Sequence, residues 1–524
     1  MEFVNADMIH NSQSARLPWM LRWQGVAALA LASFLPFLFV SIPPLADVPG
    51  HIGAFAVQVA PPESPLFRDL GFEWKLTLNM ASQLAVEVLA RPLGLFTATW
   101  LLSALSPIVT VVGLLAVCRR LNPEAPASLL WALIFVYNIA FLMGFLNFTL
   151  SAGLALCAFA TWIAFDRRPT VRAALFLLII PLLMIAHAQG GALLVIWISS
   201  WELCRLDGWR PSKWNTGLAR DLAVRLWPLS TAVVPILLSA SASGPTTLPV
   251  LRKFRMIFET VHDQSAILDI STVIASLVVV AVGLYRGARY SHGSAGPVIA
   301  TTLLFFAAPG RLSGTDFVDL RIAPYACLLG LALLDWRNVD LRIRRWVLLT
   351  GALLLTVRFA VTTASFVNYE RSYKSELAAL ELVRPGSRVM NLSLVDCDIA
   401  GWRSPRTEHL ANLVTPLRNA WTNAHWALPN VHMLQIRFAP GDYARDPSHL
   451  VRPDRCVDYN IPFEKRARHG LVETMPHLPL QDVDYLWLVG LQLPKGVRDD
   501  RLIRIWQNGN SELYEVRRKS AARP

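Results

Sequence analysis

Long apolar runs, each followed by a short polar segment, dominate the first two thirds of the chain. A helix needs roughly 20 apolar residues to cross a bilayer, and a scan for such runs predicts eleven membrane-spanning helices. They cover residues 22–42, 96–118, 127–146, 148–166, 171–187, 190–206, 224–241, 269–287, 296–309, 321–336 and 345–366. Residues 1–367 are therefore predicted to form a polytopic α-helical membrane domain.

The basic residues collect in alternate loops, as the positive-inside rule requires. With the N-terminus in the cytoplasm, the cytoplasmic segments carry 18 lysine and arginine residues, and the opposite loops carry 8 although they are longer. An odd number of spans then places residues 368–524 outside the cytoplasm.

The pattern changes after the last predicted span, because charge and proline become more frequent and the apolar runs shorten. Asn508-Gly509-Asn510 is a typical hairpin turn between two short strand-like segments. The pattern predicts a helix at 371–383 and strands at 388–394, 483–489, 502–506 and 512–517. Together these elements predict a small extracytoplasmic α/β domain.

The first outer loop, residues 43–95, is too long for a simple connection. It contains two helix-like pieces, 50–60 and 76–89, and the second has its apolar positions on one stripe. We expect both to be helices that lie along the membrane interface.

Composition agrees with a membrane protein: 54% of the 524 residues are hydrophobic and only 16% are charged. The net charge of +12 is scattered in short clusters, which argues against nucleic acid as a partner. The cysteines lack the spacing of a zinc or redox motif, so we identify no metal ligands. The sequence leaves the cofactor unknown: a divalent metal is possible but not indicated. If the tail is extracytoplasmic, Cys397 and Cys456 are candidates for a disulfide.

Asp47 is the strongest candidate for chemistry, since it follows the first span at a turn stiffened by Pro43, Pro44 and Pro49. An acid at the boundary between membrane and water can act on a substrate that is half in lipid. The alternative is that Asp47 caps the helix that begins near Pro49.

Three further polar residues interrupt apolar sequence on the predicted outer face. His51 could hold a phosphate or shuttle a proton, or it could simply face solvent. His187 and Gln189 could line a cavity, since polar groups at such depth usually do so or pair with one another, or they could belong to an ordinary turn.

Charged residues in later outer loops are candidates for binding an anionic lipid head group. Arg252, Lys253 and Arg255 form the only basic cluster on this face, for which simple attraction to anionic lipid is the alternative. The others are Asp316, Asp319 and Arg321 at the mouth of a span, and Arg358 inside the last span. A structural ion pair would explain the group at the mouth equally well.

These features resemble the GT-C superfamily of integral-membrane glycosyltransferases, which includes protein O-mannosyltransferases and aminoarabinose transferases. The resemblance lies in the acid of PPLADVPGH after span one, the interfacial helices, the many spans and the C-terminal domain. The stretches GFLNFTLSAGL and GTDFVDLRIAP are also similar to those of bacterial membrane proteins grouped with this superfamily.

The resemblance implies an enzyme of the bacterial inner membrane with a periplasmic C-terminal domain. Its donor would be a polyprenyl-phosphate sugar, its acceptor an extracytoplasmic glycan, lipid or protein, and Asp47 its general base. Many relatives carry two acids in this loop, whereas here Val48 follows Asp47, so a two-acid or metal-dependent site is not implied.

Other classes of protein share parts of this pattern. A transporter or flippase would be expected to carry more ionisable residues in its spans and inverted repeats. A polysaccharide-modifying acyltransferase would need a histidine accessible from the cytoplasm, and His187 is predicted on the other face. A non-catalytic assembly factor of the cell envelope also fits, and it would keep its activity in Asp47→Asn.

Overall fold

A computed structural model of the chain describes residues 17–124, 126–208, 210–239, 245–248, 250–312, 315–395, 402, 406–428, 431–453, 456–457, 469–494, 496 and 499–517. Within these residues, helices fill the first part of the chain and a mixed sheet fills the last. A helical membrane-type fold with a C-terminal sheet region is therefore confirmed, and the domain boundary after residue 367 stays a prediction.

Sixteen α-helices in the described residues precede the C-terminal sheet, and every predicted span overlaps helical structure. They are α1 (Trp23–Phe34), α2 (Val48–Gln58), α3 (Ala81–Leu93), α4 (Leu95–Leu121), α5 (Leu129–Ile134), α6 (Ile139–Leu142), α7 (Leu146–Ala164), α8 (Pro169–Ala186), α9 (Ala188–Arg205), α10 (Thr216–Leu226), α11 (Val233–Leu238), α12 (Val250–Phe258), α13 (Ala266–Tyr285), α14 (His292–Ala307), α15 (Ala323–Ala332) and α16 (Leu341–Leu377).

Six helical segments in the described residues are long and apolar enough to cross a membrane. They are Leu95–Leu121, Leu146–Ala164, Pro169–Ala186, Thr216–Leu238, Ala266–Tyr285 and Leu341–Leu382. Shorter apolar helices occupy several of the other predicted spans, for example Trp23–Phe39 and Ala323–Ala332. The chain is thus a multi-pass membrane protein, and eleven crossings stay a prediction.

The helical region is built around α4 and α7, which pack closely along each other. A Cβ atom on Gly113 of α4 would lie 2.7 Å from Cβ of Leu156, and one on Gly153 of α7 would lie 3.0 Å from the backbone N of Thr110. Small residues at such crossings let membrane helices approach closely. Close van der Waals packing then holds the helices together in lipid, where no hydrophobic effect drives their association.

The first outer loop contains both predicted helices, but α3 begins at Ala81 and not at Leu76. The backbone before it is bound to the turn between α8 and α9: Met80 donates to the carbonyl of Ile185 at 3.1 Å, and Ala188 donates to Leu78 at 2.8 Å. Because these tertiary hydrogen bonds hold residues 78–80, the apolar stripe does not continue into them as helix.

Eleven strands are present in the described residues. They are β1 (Leu70–Phe72), β2 (Arg311–Leu312), β3 (Thr315–Asp316), β4 (Arg388–Leu394), β5 (Trp421–Thr422), β6 (Leu434–Ile436), β7 (Leu450–Arg452), β8 (His469–Gly470), β9 (Tyr485–Val489), β10 (Leu502–Asn508) and β11 (Ser511–Val516). The short helices α17 (Val414–Arg418) and α18 (Leu471–Thr474) connect some of them.

The main sheet has the order β10-β11-β9-β4-β7-β8, and β5 also pairs with β4. β4 is parallel to β9, β7 and β5, whereas β9, β11 and β10 are antiparallel neighbours. The hairpin predicted around Gly509 joins β10 to β11, with φ of 52° at this glycine. The helix predicted at 371–383 is the end of α16 followed by a 3-10 turn, so no break separates it from the last span.

The first outer loop is joined to the C-terminal region at several points. β1 pairs antiparallel with β6, and Arg388 of β4 forms an ion pair with Asp69 at 2.8 Å. Helix α2 packs on residues 410–418. The two parts of the chain are therefore packed against each other. Cys456 is disulfide-bonded, and Cys397 lies outside the described residues.

Candidate functional site

Asp47 lies at the N-cap position of α2, directly after the proline-rich turn. Its backbone N–H donates to the carbonyl of Met143 at 2.9 Å, and Gly144 approaches it so closely that a Cβ atom there would lie 3.0 Å from the backbone N of Asp47. Gly144 also has φ of 85°, a conformation that favours glycine. These contacts fix the backbone of Asp47 against the end of α6.

The carboxylate of Asp47 accepts no capping hydrogen bond, so the capping alternative does not account for this residue. Its side chain is 20% exposed. Burial raises the pKa of Asp47 well above its usual value, Glu408 raises the pKa further, Arg321 lowers it, and Asp446 raises it. A carboxylate with a raised pKa is a stronger base than one in water.

Arg321 is a buried cation near enough to Asp47 to lower its pKa. Its Nη1 donates to Oε1 of Gln189 at 3.0 Å, and its guanidinium lies 4.2 Å from the ring centroid of Phe145. Nε of Arg321 is buried and has no hydrogen-bond partner in the described residues. The guanidinium is therefore held on two sides and retains one donor that a substrate oxygen could satisfy.

His187 and Gln189 belong to this arrangement through the start of α9. Nδ1 of His187 accepts from the backbone N of Gln189 at 3.1 Å, so the histidine caps α9. The amide of Gln189 donates to the carbonyl of Val318 at 2.7 Å while its oxygen accepts from Arg321. Gln189 thus orients Arg321, and His187 orients the turn that carries Gln189.

His51 lies one helical turn after Asp47, is half-buried and packs between two aromatic rings. Its ring stacks on Phe55 at 5.8 Å and meets Trp426 edge-on at 5.4 Å. Burial is the main cause that lowers the pKa of His51 to about 4, and His432 lowers it further. His51 is therefore neutral at neutral pH and offers a phosphate no charge.

The C-terminal region contributes residues to this site that sequence reasoning missed. Nε2 of His409 lies 3.7 Å from Oδ1 of Asp47, and Asp446 and His449 lie beside His409. One potential ligand atom from each of His409, Asp446 and His449 lies within 4.8 Å of the others, a spacing that could hold a metal ion. Only the i, i+3 spacing of Asp446 and His449 was visible in the sequence, and it did not point to His409 or Asp47.

The basic cluster of α12 divides into one buried and two exposed residues. Nζ of Lys253 donates to the carbonyls of Phe305 and Ala308 at 2.7 and 2.5 Å and pairs with Asp319 at 3.2 Å. Arg255 is exposed and pairs with Glu259, whereas Arg252 is exposed and lies 6.0 Å from the ring centroid of Phe317. Asp319 therefore fits the structural ion-pair alternative, with Lys253 as its buried partner. Arg252 is the arginine of this cluster that lies near Phe317, four residues from Arg321.

The remaining two candidates, Asp316 and Arg358, form ion pairs with residues other than Asp47. Asp316 is exposed and pairs with Arg311 across the β2–β3 hairpin. Arg358 is buried in α16, where it pairs with Asp269 and donates to the carbonyl of Val261 at 2.7 Å. Both charges are neutralised within the protein, which is the arrangement of scaffold ion pairs.

No family model matches the chain, and a search of curated proteins returns no match. Two solved structures are similar over 94% of this chain. One is the arabinofuranosyltransferase AftD from mycobacteria, at 17% identity and a TM-score of 0.45, and this chain spans 40% of its length. The other is ArnT from Cupriavidus metallidurans bound to undecaprenyl phosphate, at 12% identity and a TM-score of 0.44, of which 97% is covered. Both TM-scores are below 0.5, so the two similarities are distant.

Proposed function

We propose that the protein is a membrane glycosyltransferase that moves a sugar from a polyprenyl-phosphate donor to an acceptor on the extracytoplasmic side. The observation that carries this proposal is the carboxylate of Asp47, which is held by its backbone, accepts no capping bond and faces the charge of Arg321. Transfer from a phosphate leaving group needs a base for the acceptor and a cation for the phosphate.

In this mechanism Asp47 accepts the proton of the acceptor hydroxyl or amine. The acceptor atom forms a bond to C1 of the sugar while the bond between C1 and the phosphate oxygen breaks. The electron pair of the broken bond leaves with the polyprenyl phosphate. A positioned general base contributes roughly 10²–10⁴ in rate.

Arg321 is proposed to bind the phosphate as its negative charge grows. Gln189 and Phe145 hold the guanidinium before the substrate arrives, so little reorganisation is needed in the transition state. The buried Nε–H of Arg321 is a hydrogen-bond donor whose partner would be a phosphate oxygen of the substrate. Arg252, exposed beside Phe317, is proposed to attract the head group on its way in.

The donor class follows from the resemblance in the sequence and from the membrane setting. An acid and an arginine beside apolar helices suit a substrate whose head is polar and whose tail lies in lipid. The ArnT neighbour is described as bound to undecaprenyl phosphate, which is a lipid of the class proposed here.

Deletion of the gene tests the function whichever sugar is transferred. The deletion strain is expected to lose one sugar substituent from its cell envelope and to accumulate the corresponding polyprenyl-phosphate sugar, both measured by mass spectrometry. The wild-type gene should reverse both changes. A deletion strain with an unchanged envelope and no accumulated lipid-linked sugar would contradict the proposal. The lipid that accumulates then serves as the donor for assays with purified protein.

A further inference from the structure

His409, Asp446 and His449 form a compact group at the junction of α2 with the C-terminal region. His409 and His449 are buried, with 8% and 0% of their side chains exposed, and Asp446 is 23% exposed. Two imidazoles and a carboxylate form a ligand set that suits zinc. Mg²⁺ and Ca²⁺ prefer oxygen ligands throughout, so they fit this group less well.

The orientation of His449 is the second observation that points to a cation. Its Nε2 lies 3.0 Å from the carbonyl oxygen of Glu408. A carbonyl can only accept, so Nε2 carries the hydrogen, and in the neutral ring the lone pair is on Nδ1. A backbone carbonyl that fixes the tautomer in this way is the usual outer partner of a metal-ligating histidine.

Nδ1 of His449 faces a carboxylate oxygen. The distance from Nδ1 to Oδ1 of Asp446 is 3.6 Å, which is too long for a hydrogen bond between these two atoms. Two electron-rich atoms that face each other repel unless a proton or a metal ion lies between them. Ligand atoms bound to one Zn²⁺ lie roughly 3.3 Å apart, so the pair needs only a small adjustment to bind one.

We propose that His409, Asp446 and His449 bind one Zn²⁺ ion, which ties two segments of the C-terminal region together beside Asp47. Water would complete the four-coordinate shell that zinc prefers. This proposal does not depend on the sugar-transfer reaction, because metal content is measured without a substrate.

The test is the zinc content of the purified full-length protein in detergent. The protein is stripped with a chelator, incubated with ZnCl₂ and desalted, and zinc is then counted by inductively coupled plasma mass spectrometry. We expect about one zinc ion per wild-type chain, and a dissociation constant raised at least about tenfold in His449→Gln. His477→Gln replaces an exposed histidine of the same region and should retain the ion. A wild-type protein that holds no zinc, or a His449→Gln variant that holds as much as wild type, would overturn the proposal.

X-ray absorption at the zinc edge of the wild-type protein identifies the zinc ligands directly. It therefore tests the proposal even if His449→Gln does not fold. We expect a first shell of nitrogen and oxygen with the outer scattering of two imidazole rings. Binding to one of the four free cysteines in the described residues would instead appear as sulfur in the first shell. A sulfur shell, or a shell without imidazole, would refute the proposed ligands.

Discussion

Nε2 of His409 lies 3.7 Å from Oδ1 of Asp47, so an acid that follows the first predicted span meets a histidine of the C-terminal region. The contact depends on the way in which the first outer loop is bound into that region, through β1 and β6 and through Asp69 and Arg388. The site is therefore completed by two distant parts of the chain. Changes at their junction should alter activity without touching Asp47.

Gly53 of α2 tests this junction. A Cβ atom at this position would lie 2.7 Å from the carbonyl oxygen of Asn412. This oxygen belongs to the backbone, so it cannot move away as the end of a flexible side chain could. We expect Gly53→Ala to destabilise the protein by about 1–3 kcal/mol, the usual range for overpacking. It should also slow transfer, since α2 carries Asp47 at its start. Thermal unfolding in detergent measures the first effect, and turnover of the accumulated donor measures the second.

Gly496→Ala is the matched control, because no atom of the described residues lies within 4 Å of a Cβ atom there. Equal melting temperatures for the two variants would contradict the close packing of α2 on residues 410–418.

Arg321→Lys keeps the positive charge but loses the planar guanidinium that stacks on Phe145 and bonds to Gln189. We expect kcat to fall by about 10²–10³, the loss typical of a donor that stabilises transition-state charge. Arg311→Lys changes an exposed arginine in the β2–β3 hairpin and should transfer sugar at the wild-type rate. If both variants are equally active, Arg321 is not the phosphate-binding group.

Lys253 and Arg252 are neighbours in sequence but should respond differently to substitution. Lys253→Met leaves Asp319 buried without its cation, a change that costs about 3–5 kcal/mol of stability. Arg252→Met removes an exposed charge and should leave the unfolding midpoint unchanged while weakening donor binding. Denaturation in detergent and a direct binding assay with the accumulated lipid measure the two effects. A lower unfolding midpoint in Arg252→Met, or an unchanged midpoint in Lys253→Met, would contradict the structural role of Lys253 and the donor-binding role of Arg252.

Reporter fusions test the predicted orientation in the membrane. A reporter active only outside the cytoplasm should be active when fused after residue 517, at the end of the described C-terminal strands, and silent near Arg210. The physical reason is the excess of basic residues in alternate loops, 18 against 8. The opposite pattern of activity would place Asp47 in the cytoplasm, where the proposed lipid-linked donor is not expected.

Local patterns in the sequence were sufficient to predict much of the fold. Apolar runs predicted the helical region because each helix carries its own signal, and the turn at Gly509 predicted the β10–β11 hairpin. The start of α3 was predicted too early, because hydrogen bonds from Met80 to a distant turn decide it. Hydrogen bonds between segments far apart in the sequence cannot be predicted from the local pattern of apolar and polar residues.

The candidate site was predictable only in part for the same reason. Asp47 and Arg321 stood out as charges at the ends of apolar runs. Lys253 and Arg358 stood out equally, and only their buried partners Asp319 and Asp269 distinguish them as parts of scaffold ion pairs. His409 is brought to Asp47 by the packing of the C-terminal region, which the spacing of residues along the chain does not encode.

Asp47→Asn is the most direct test of the proposed mechanism, since it removes the base and preserves the size of the side chain. With the donor that accumulates in the deletion strain, we expect unchanged donor binding and a rate of sugar transfer lowered by about 10²–10⁴. Glu63→Gln, an exposed acid of the same loop, serves as the control and should transfer at the wild-type rate. An Asp47→Asn variant that folds and transfers sugar as fast as wild type would contradict the role of this carboxylate.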